Sequence, residues 1–79
     1  SIKLNVQLEL NSKDIFLIKK IEKILSEIEL VEKYNISYFN NEITRYSILS
    51  NSTPDKLIQE FKKFNLKVST ENNLWTLNE

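Results

Sequence analysis

Residues 13–32 read KDIFLIKKIEKILSEIELVE, and this stretch decides the fold. Ile15, Ile18, Ile21, Leu25 and Ile28 recur every three or four positions, with Ile24 filling the same stripe. That is the period of a helix burying one face. Twenty residues give about 30 Å of helix, roughly the width of a small domain. A helix so apolar along one side needs a sheet to cover it, and the flanking sequence supplies the strands. Asn11 or Ser12 stands where the helix cap is expected, with Asp14 three residues after Asn11 in the capping-box position. Lys13, Lys19, Lys20 and Lys23 crowd the first half, and Glu27, Glu29 and Glu32 the second. This order opposes the helix macrodipole, at a few tenths of a kcal/mol per exposed charge, and reads as a solvated face.

Before the helix, Ile2, Leu4, Val6, Leu8 and Leu10 alternate with Lys3, Asn5, Gln7 and Glu9, a strand with one buried face. After it, a second strand is expected from Glu32 to Phe39 and a third from Ile43 to Leu49, joined through Asn40-Asn41. A two-residue loop would turn Arg45 inward. A three-residue loop, Asn40 to Glu42, pairs Tyr38 with Thr44, Ile36 with Tyr46 and Tyr34 with Ile48, and keeps Arg45 outside. The three-residue loop is therefore expected, with Asn41 or Glu42 in a strained turn position. Thr53-Pro54-Asp55 starts a second helix, with Leu57, Ile58, Phe61 and Phe64 as its apolar stripe and Asn65 as a left-handed cap. Leu66 and Val68 open a last strand; Glu71-Asn72-Asn73 interrupts it, and Leu74 to Leu77 resume it. The tail is either a tight hairpin or one bulged strand.

The expected fold class is α+β: a ferredoxin-like βαββαβ domain over residues 1–79, with a four-stranded antiparallel sheet, both helices on one face, and room for an extra C-terminal hairpin. The sequence starts at Ser1, and a fragment of a longer protein is expected. With 79 residues, no cysteine and no histidine, neither disulfides nor the commonest zinc ligands are available, and stability rests on apolar packing. Glycine is absent as well, which removes phosphate-cradling loops, dinucleotide fingerprints and nucleophile elbows. Lys plus Arg and Asp plus Glu are both 11, so the net charge is zero, without the basic excess usual in nucleic-acid binders. No apolar run approaches the ~20 residues of a membrane span.

The open face of the sheet is expected to carry Lys3, Asn5, Gln7 and Glu9, then Ile43, Arg45, Ser47 and Leu49, then Lys33, Asn35, Ser37 and Phe39. RNA-recognition domains of this topology stack bases on aromatic residues of the two central strands, where this chain has Asn5, Gln7, Arg45 and Ser47. Without His or Cys, a catalytic site would need carboxylates, Lys, Tyr or Ser in a cleft, and Tyr34, Tyr38 and Tyr46 read as core or core-edge residues instead. No catalytic, cofactor-binding or metal-binding residue is expected, and no cofactor. The candidate protein-interaction patch is Phe39, Ile43, Arg45 and Leu49.

The segments Lys56-Leu57-Ile58-Gln59-Glu60-Phe61, Asn65-Leu66-Lys67-Val68 and Leu74-Trp75-Thr76-Leu77, with Ile24 to Tyr34, resemble the C-terminal part of a bacterial family known as a domain of unknown function. The family's usual glycines correspond to Leu30 and Asn65. The pattern is also similar to the ferredoxin-like periplasmic domains of type II secretion and type IV pilus assembly platforms. The resemblance implies an envelope or periplasmic place and a protein partner, or self-association. The expected function is a non-catalytic protein–protein interaction module of a bacterial envelope protein. The alternative is a nucleic-acid-binding module using Arg45, Lys3 and Lys33 on the open face.

Overall fold

The computed structural model describes residues 3–11, 13–71 and 73–78. The first strand, β1 (Leu4–Asn11), buries Val6, Leu8 and Leu10 and turns Asn5, Gln7 and Glu9 the other way. Ile2, expected to begin it, lies outside the described residues. Helix α1 (Ile15–Glu27) follows, then β2 (Val31–Phe39), β3 (Ile43–Ser50), α2 (Pro54–Lys63), β4 (Lys67–Glu71) and β5 (Leu74–Asn78).

Helix α1 is shorter than expected, because Asp14 caps it in place of Asn11 or Ser12. The Asp14 carboxylate accepts from the Leu17 N–H at 3.0 Å. Asn11 instead closes the preceding turn, its side-chain oxygen accepting from the Lys13 N–H. The buried stripe is Leu17, Ile21, Ile24 and Leu25, continued by Ile28 after the helix. Ile15, assigned to that stripe by periodicity, is 54% exposed, and Leu17 takes its place. Ile15 stands six residues before Ile21, about 120° round the helix from it, whereas Leu17, four residues before, is only about 40° away. Past the helix the chain turns at once: the Val31 N–H bonds the Ile28 carbonyl, and β2 begins where more helix was expected. The Leu30 carbonyl accepts from the Ser50 hydroxyl and the Asn51 N–H, tying this turn to the end of β3.

The start of α2 is as the sequence reads, with Thr53 capping and Pro54 in the first turn. Asn65 ends it in the left-handed region at φ 60°. Its N–H bonds the Lys62 carbonyl and the Leu66 N–H bonds the Phe61 carbonyl, the paired bonds of a left-handed helix stop. Leu66 and Phe61 are both buried, as that motif favours.

The sheet corrects the expected topology. It has five strands in the order β2-β3-β1-β5-β4, and it is mixed: β1 and β5 run parallel, while the other neighbours are antiparallel. In a four-stranded antiparallel sheet of the expected kind, β4 would lie directly beside β1. Here the tail makes a tight hairpin, and its second strand is inserted between β1 and β4. Composition explains the exchange. Trp75 and Leu77 give β5 an apolar face, whereas Lys67-Val68-Ser69-Thr70-Glu71 offers one aliphatic residue. The interior position goes to the strand that can fill it, and the polar strand takes the edge. Trp75 sits opposite Leu8, 2% exposed, and meets Phe61 edge-to-face with ring centroids 6.1 Å apart.

Both helices cover the same face. Leu8 lies opposite Tyr46 on one side and Trp75 on the other, so the three share a face. Tyr46 reaches Glu22 on α1, and Trp75 reaches Phe61 on α2. Val6, Ile48, Ile21, Leu25 and Leu57 complete a single core. Among the described residues, no helix is long and apolar enough to cross a membrane.

Candidate interaction surfaces

The open face of the sheet and the free edge of β2 are among the surfaces left outside this core. Their geometry is set by two bulges in β2, placed between Val31 and Lys33 and between Ile36 and Tyr38. The hairpin begins as a tighter turn than expected. The Asn40 N–H bonds the Ile43 carbonyl, and the Asn40 side-chain oxygen accepts from the Glu42 and Ile43 N–H groups at 2.7 and 2.8 Å. That side chain stabilises the turn, so neither Asn41 nor Glu42 adopts a positive φ. Phe39 pairs with Thr44 and Tyr38 with Arg45, in place of the expected Tyr38–Thr44 pair. The bulge at Ser37 then takes up one residue and restores the expected Ile36–Tyr46 and Tyr34–Ile48 pairs.

The consequence is a change of face for two aromatic residues. Phe39 shares the side of buried Thr44, so it points toward the helix layer, beyond the reach of the core and 70% exposed. Tyr38 takes the slot on the open face expected for Phe39. Ile43, Arg45 and Leu49 do lie together on that face, half-buried, alternating with buried Thr44, Tyr46, Ile48 and Ser50. Of the four patch residues, the structure therefore brings three together and turns Phe39 away.

The polar groups of the open face are largely committed to one another. Arg45 donates to Glu9 at 2.8 Å, and its guanidinium carbon lies 5.5 Å from the Tyr38 ring centroid. The Arg45 Nε is buried without a hydrogen-bond partner among the described residues. The Ser37 hydroxyl lies 2.6 Å from the Gln7 side-chain oxygen, and Lys3 pairs with Glu32 at 2.8 Å. A shallow hollow of about 410 Å³ opens at the end of this face, beside Glu9, Lys13, Glu42, Ile43 and Thr76. Among the described residues, no three His, Cys, Asp or Glu side chains gather as metal ligands would.

On the covered side, the Tyr46 hydroxyl donates to the Glu22 carboxylate, and the Tyr34 hydroxyl donates to the Glu22 carbonyl at 3.3 Å. The two rings meet edge-on, 6.1 Å apart. Burial, then the hydrogen bond to Glu22 and its charge, raise the Tyr46 phenol above its ordinary range. This arrangement clamps α1 onto the sheet, with Tyr46 1% exposed and Tyr34 and Glu22 half-buried.

The β2 edge is the larger accessible feature. It is a nine-residue strand whose outer side has no neighbouring strand among the described residues. Ile36, Tyr38 and Phe39 are 48%, 47% and 70% exposed along it. β1 and β2 run parallel, both antiparallel to β3, and α1 begins where β1 ends. Exposed Ile15 and Phe16 therefore lie at the same end of the molecule as Phe39. The opposite edge, β4, is shorter and carries Lys67 and Glu71. Alternation alone could not reveal Ser37 as a bulge, whereas the expected order, with the first and third strands central, does put β2 at an edge. No family model, curated protein or solved structure matches the chain.

Proposed function

We propose that the chain is a non-catalytic protein-interaction module that docks an extended segment of a partner along β2, and that its frame is a ferredoxin-like one widened by the inserted hairpin. The observation that carries this reading is the contrast between the two sheet edges. β2 is long and bears exposed Ile36, Tyr38 and Phe39; β4 is short and polar, with a charge at each end. Unpaired N–H and C=O groups along such an edge are a template for strand addition, and alternate side chains give it specificity. Charges and bulges are both devices by which edges resist pairing; β4 carries Lys67 and Glu71 in five residues, and β2 carries Glu32, Lys33 and two bulges in nine, with its exposed apolar residues gathered at 36–39.

The open face supports protein docking over nucleic acid. Arg45 and Lys3, two of the three cations expected to meet phosphate, are held by Glu9 and Glu32. Tyr38 is covered on one side by the Arg45 guanidinium, so it is a poor platform for a base. The non-catalytic reading is supported by the same commitments: Arg45 with Glu9 and Ser37 with Gln7 satisfy each other across the strands.

The test is a photo-crosslinking side chain placed at Ile36 and, separately, at Ser69 on β4, in extract of the native cell. An adduct at position 36 that Ser37→Pro abolishes, with none at position 69, is the expected result. Equal capture at both edges, or none at either, would refute the reading.

A further inference from the structure

We infer that a second copy of this chain is itself a partner for β2, pairing antiparallel to it about a two-fold axis through Asn35. The inference rests on the reading of β2 as the docking edge, and the faces its residues take in pairing with β3 supply the register. Val31, Tyr34, Ile36 and Phe39 pair with Ser50, Ile48, Tyr46 and Thr44, so they share the helix side. Lys33, Asn35 and Tyr38 pair with Leu49, Ser47 and Arg45, so they lie on the open side, where Ser37 joins them through Gln7.

An unbroken alternating strand matches itself about any residue, whereas a bulged one does not. Here the helix-side residues Val31, Tyr34, Ile36 and Phe39 are disposed symmetrically about Asn35, while the residues left unpaired at the two bulges are Glu32 and Ser37. A two-fold axis at that residue sets helix-side residues opposite helix-side residues, with each bulge residue opposite a paired one. It sets Tyr34 against Ile36 of the second copy, and Val31 against its Phe39, extending the helix-side apolar surface across the junction. Lys33 meets Ser37 next to Tyr38, and Glu32 meets Tyr38, so no like charges stand opposite each other. The two Asn35 amides face each other at the axis. A two-fold interface must be complementary to itself, and this register meets that condition. A single strand edge buries less than the roughly 800 Å² per partner of a standard interface, which places the pairing among weak, concentration-dependent contacts.

The chain has no cysteine, so single cysteines report the register directly. Residues facing each other across antiparallel strands have Cα atoms about 4.5–5.5 Å apart, within the ~4.4–6.8 Å that a disulfide spans. Under mild oxidation, Asn35→Cys is expected to form a covalent dimer at least ~10-fold faster than Ser69→Cys. Lys33→Cys and Ser37→Cys should each cross-link slowly alone and quickly when mixed, since each faces the other across the axis. Asn35→Cys no faster than Ser69→Cys would overturn the inference, as would equal rates for all three β2 positions alone. If Asn35→Cys stays monomeric while the crosslinker at Ile36 captures another protein, the pairing fails and the docking edge stands; failure of both removes both.

Discussion

Replacing Trp75 by alanine tests the inserted strand, on which the sheet order depends. Trp75 is 2% exposed, lies beside Leu8 on β1 and meets Phe61 of α2 edge-on. Truncating a buried tryptophan costs about 3–5 kcal/mol. The aromatic pair lost with it is worth about 0.5–1.5 kcal/mol beyond area. A domain of 79 residues has a total stability on the order of 4–12 kcal/mol, from about 0.05–0.15 kcal/mol per residue. Trp75→Ala is therefore expected to remove about a quarter or more of the stability. Trp75→Phe, which keeps a ring against Phe61, should retain most of it. The assay is urea unfolding followed by far-ultraviolet circular dichroism, because the substitution removes the chain's single tryptophan. A loss below about 1 kcal/mol for Trp75→Ala would refute the placement of β5 in the sheet interior.

Three further outcomes follow from the same structure. Tyr46 has a folded-state pKa raised above the unfolded value near 10, so its contribution is fully present below pH ~10 and declines as pH rises further. Each pH unit above that costs about 1.4 kcal/mol while the folded phenol holds its proton, and Tyr46→Phe should flatten this decline in urea titrations at high pH. Asn65→Ala forces a Cβ-bearing residue without a local hydrogen-bonding group into the left-handed region and should cost about 1 kcal/mol, while Asn65→Gly should cost nothing or stabilise; equal losses would contradict the cap. A double-mutant cycle on Glu9 and Arg45 should give a coupling of about 0.5–1 kcal/mol that shrinks in high salt, in keeping with a pair that is partly solvated.

Much of this molecule is legible in the chain because local chemistry and burial agree. Val6, Leu8 and Leu10 alternate and are buried, Thr53-Pro54 starts a helix, and Asn65 supplies the left-handed stop. Arg45 also reads correctly: the cost of burying it fixes the Tyr34–Ile48 and Ile36–Tyr46 pairs. The turn next to them does not follow, because the Asn40 side chain stabilises a tighter loop and the surplus residue moves to Ser37. Periodicity gives no signal for such a bulge, so Phe39 and Tyr38 are assigned to each other's faces. The start of α1 fails because Asn11, Ser12 and Asp14 are all chemically able to cap, and Ile15 fails separately because the phase set by Ile21, Ile24 and Leu25 buries Leu17 instead. The inserted strand had a usable clue in the polarity of Lys67–Glu71 beside the apolar Leu74–Leu77, but comparing the two requires knowing that both compete for the place next to β1.

The claim that β2 pairs with a second copy of the chain is tested most directly by following backbone amide shifts as the protein is concentrated from about 10 μM to about 1 mM, the range in which a weak strand-edge contact forms. The account predicts progressive shifts at residues 33–39 and a constant spectrum for β4, residues 67–71. Constant β2 amides across that range, or shifts centred on β4, would contradict it.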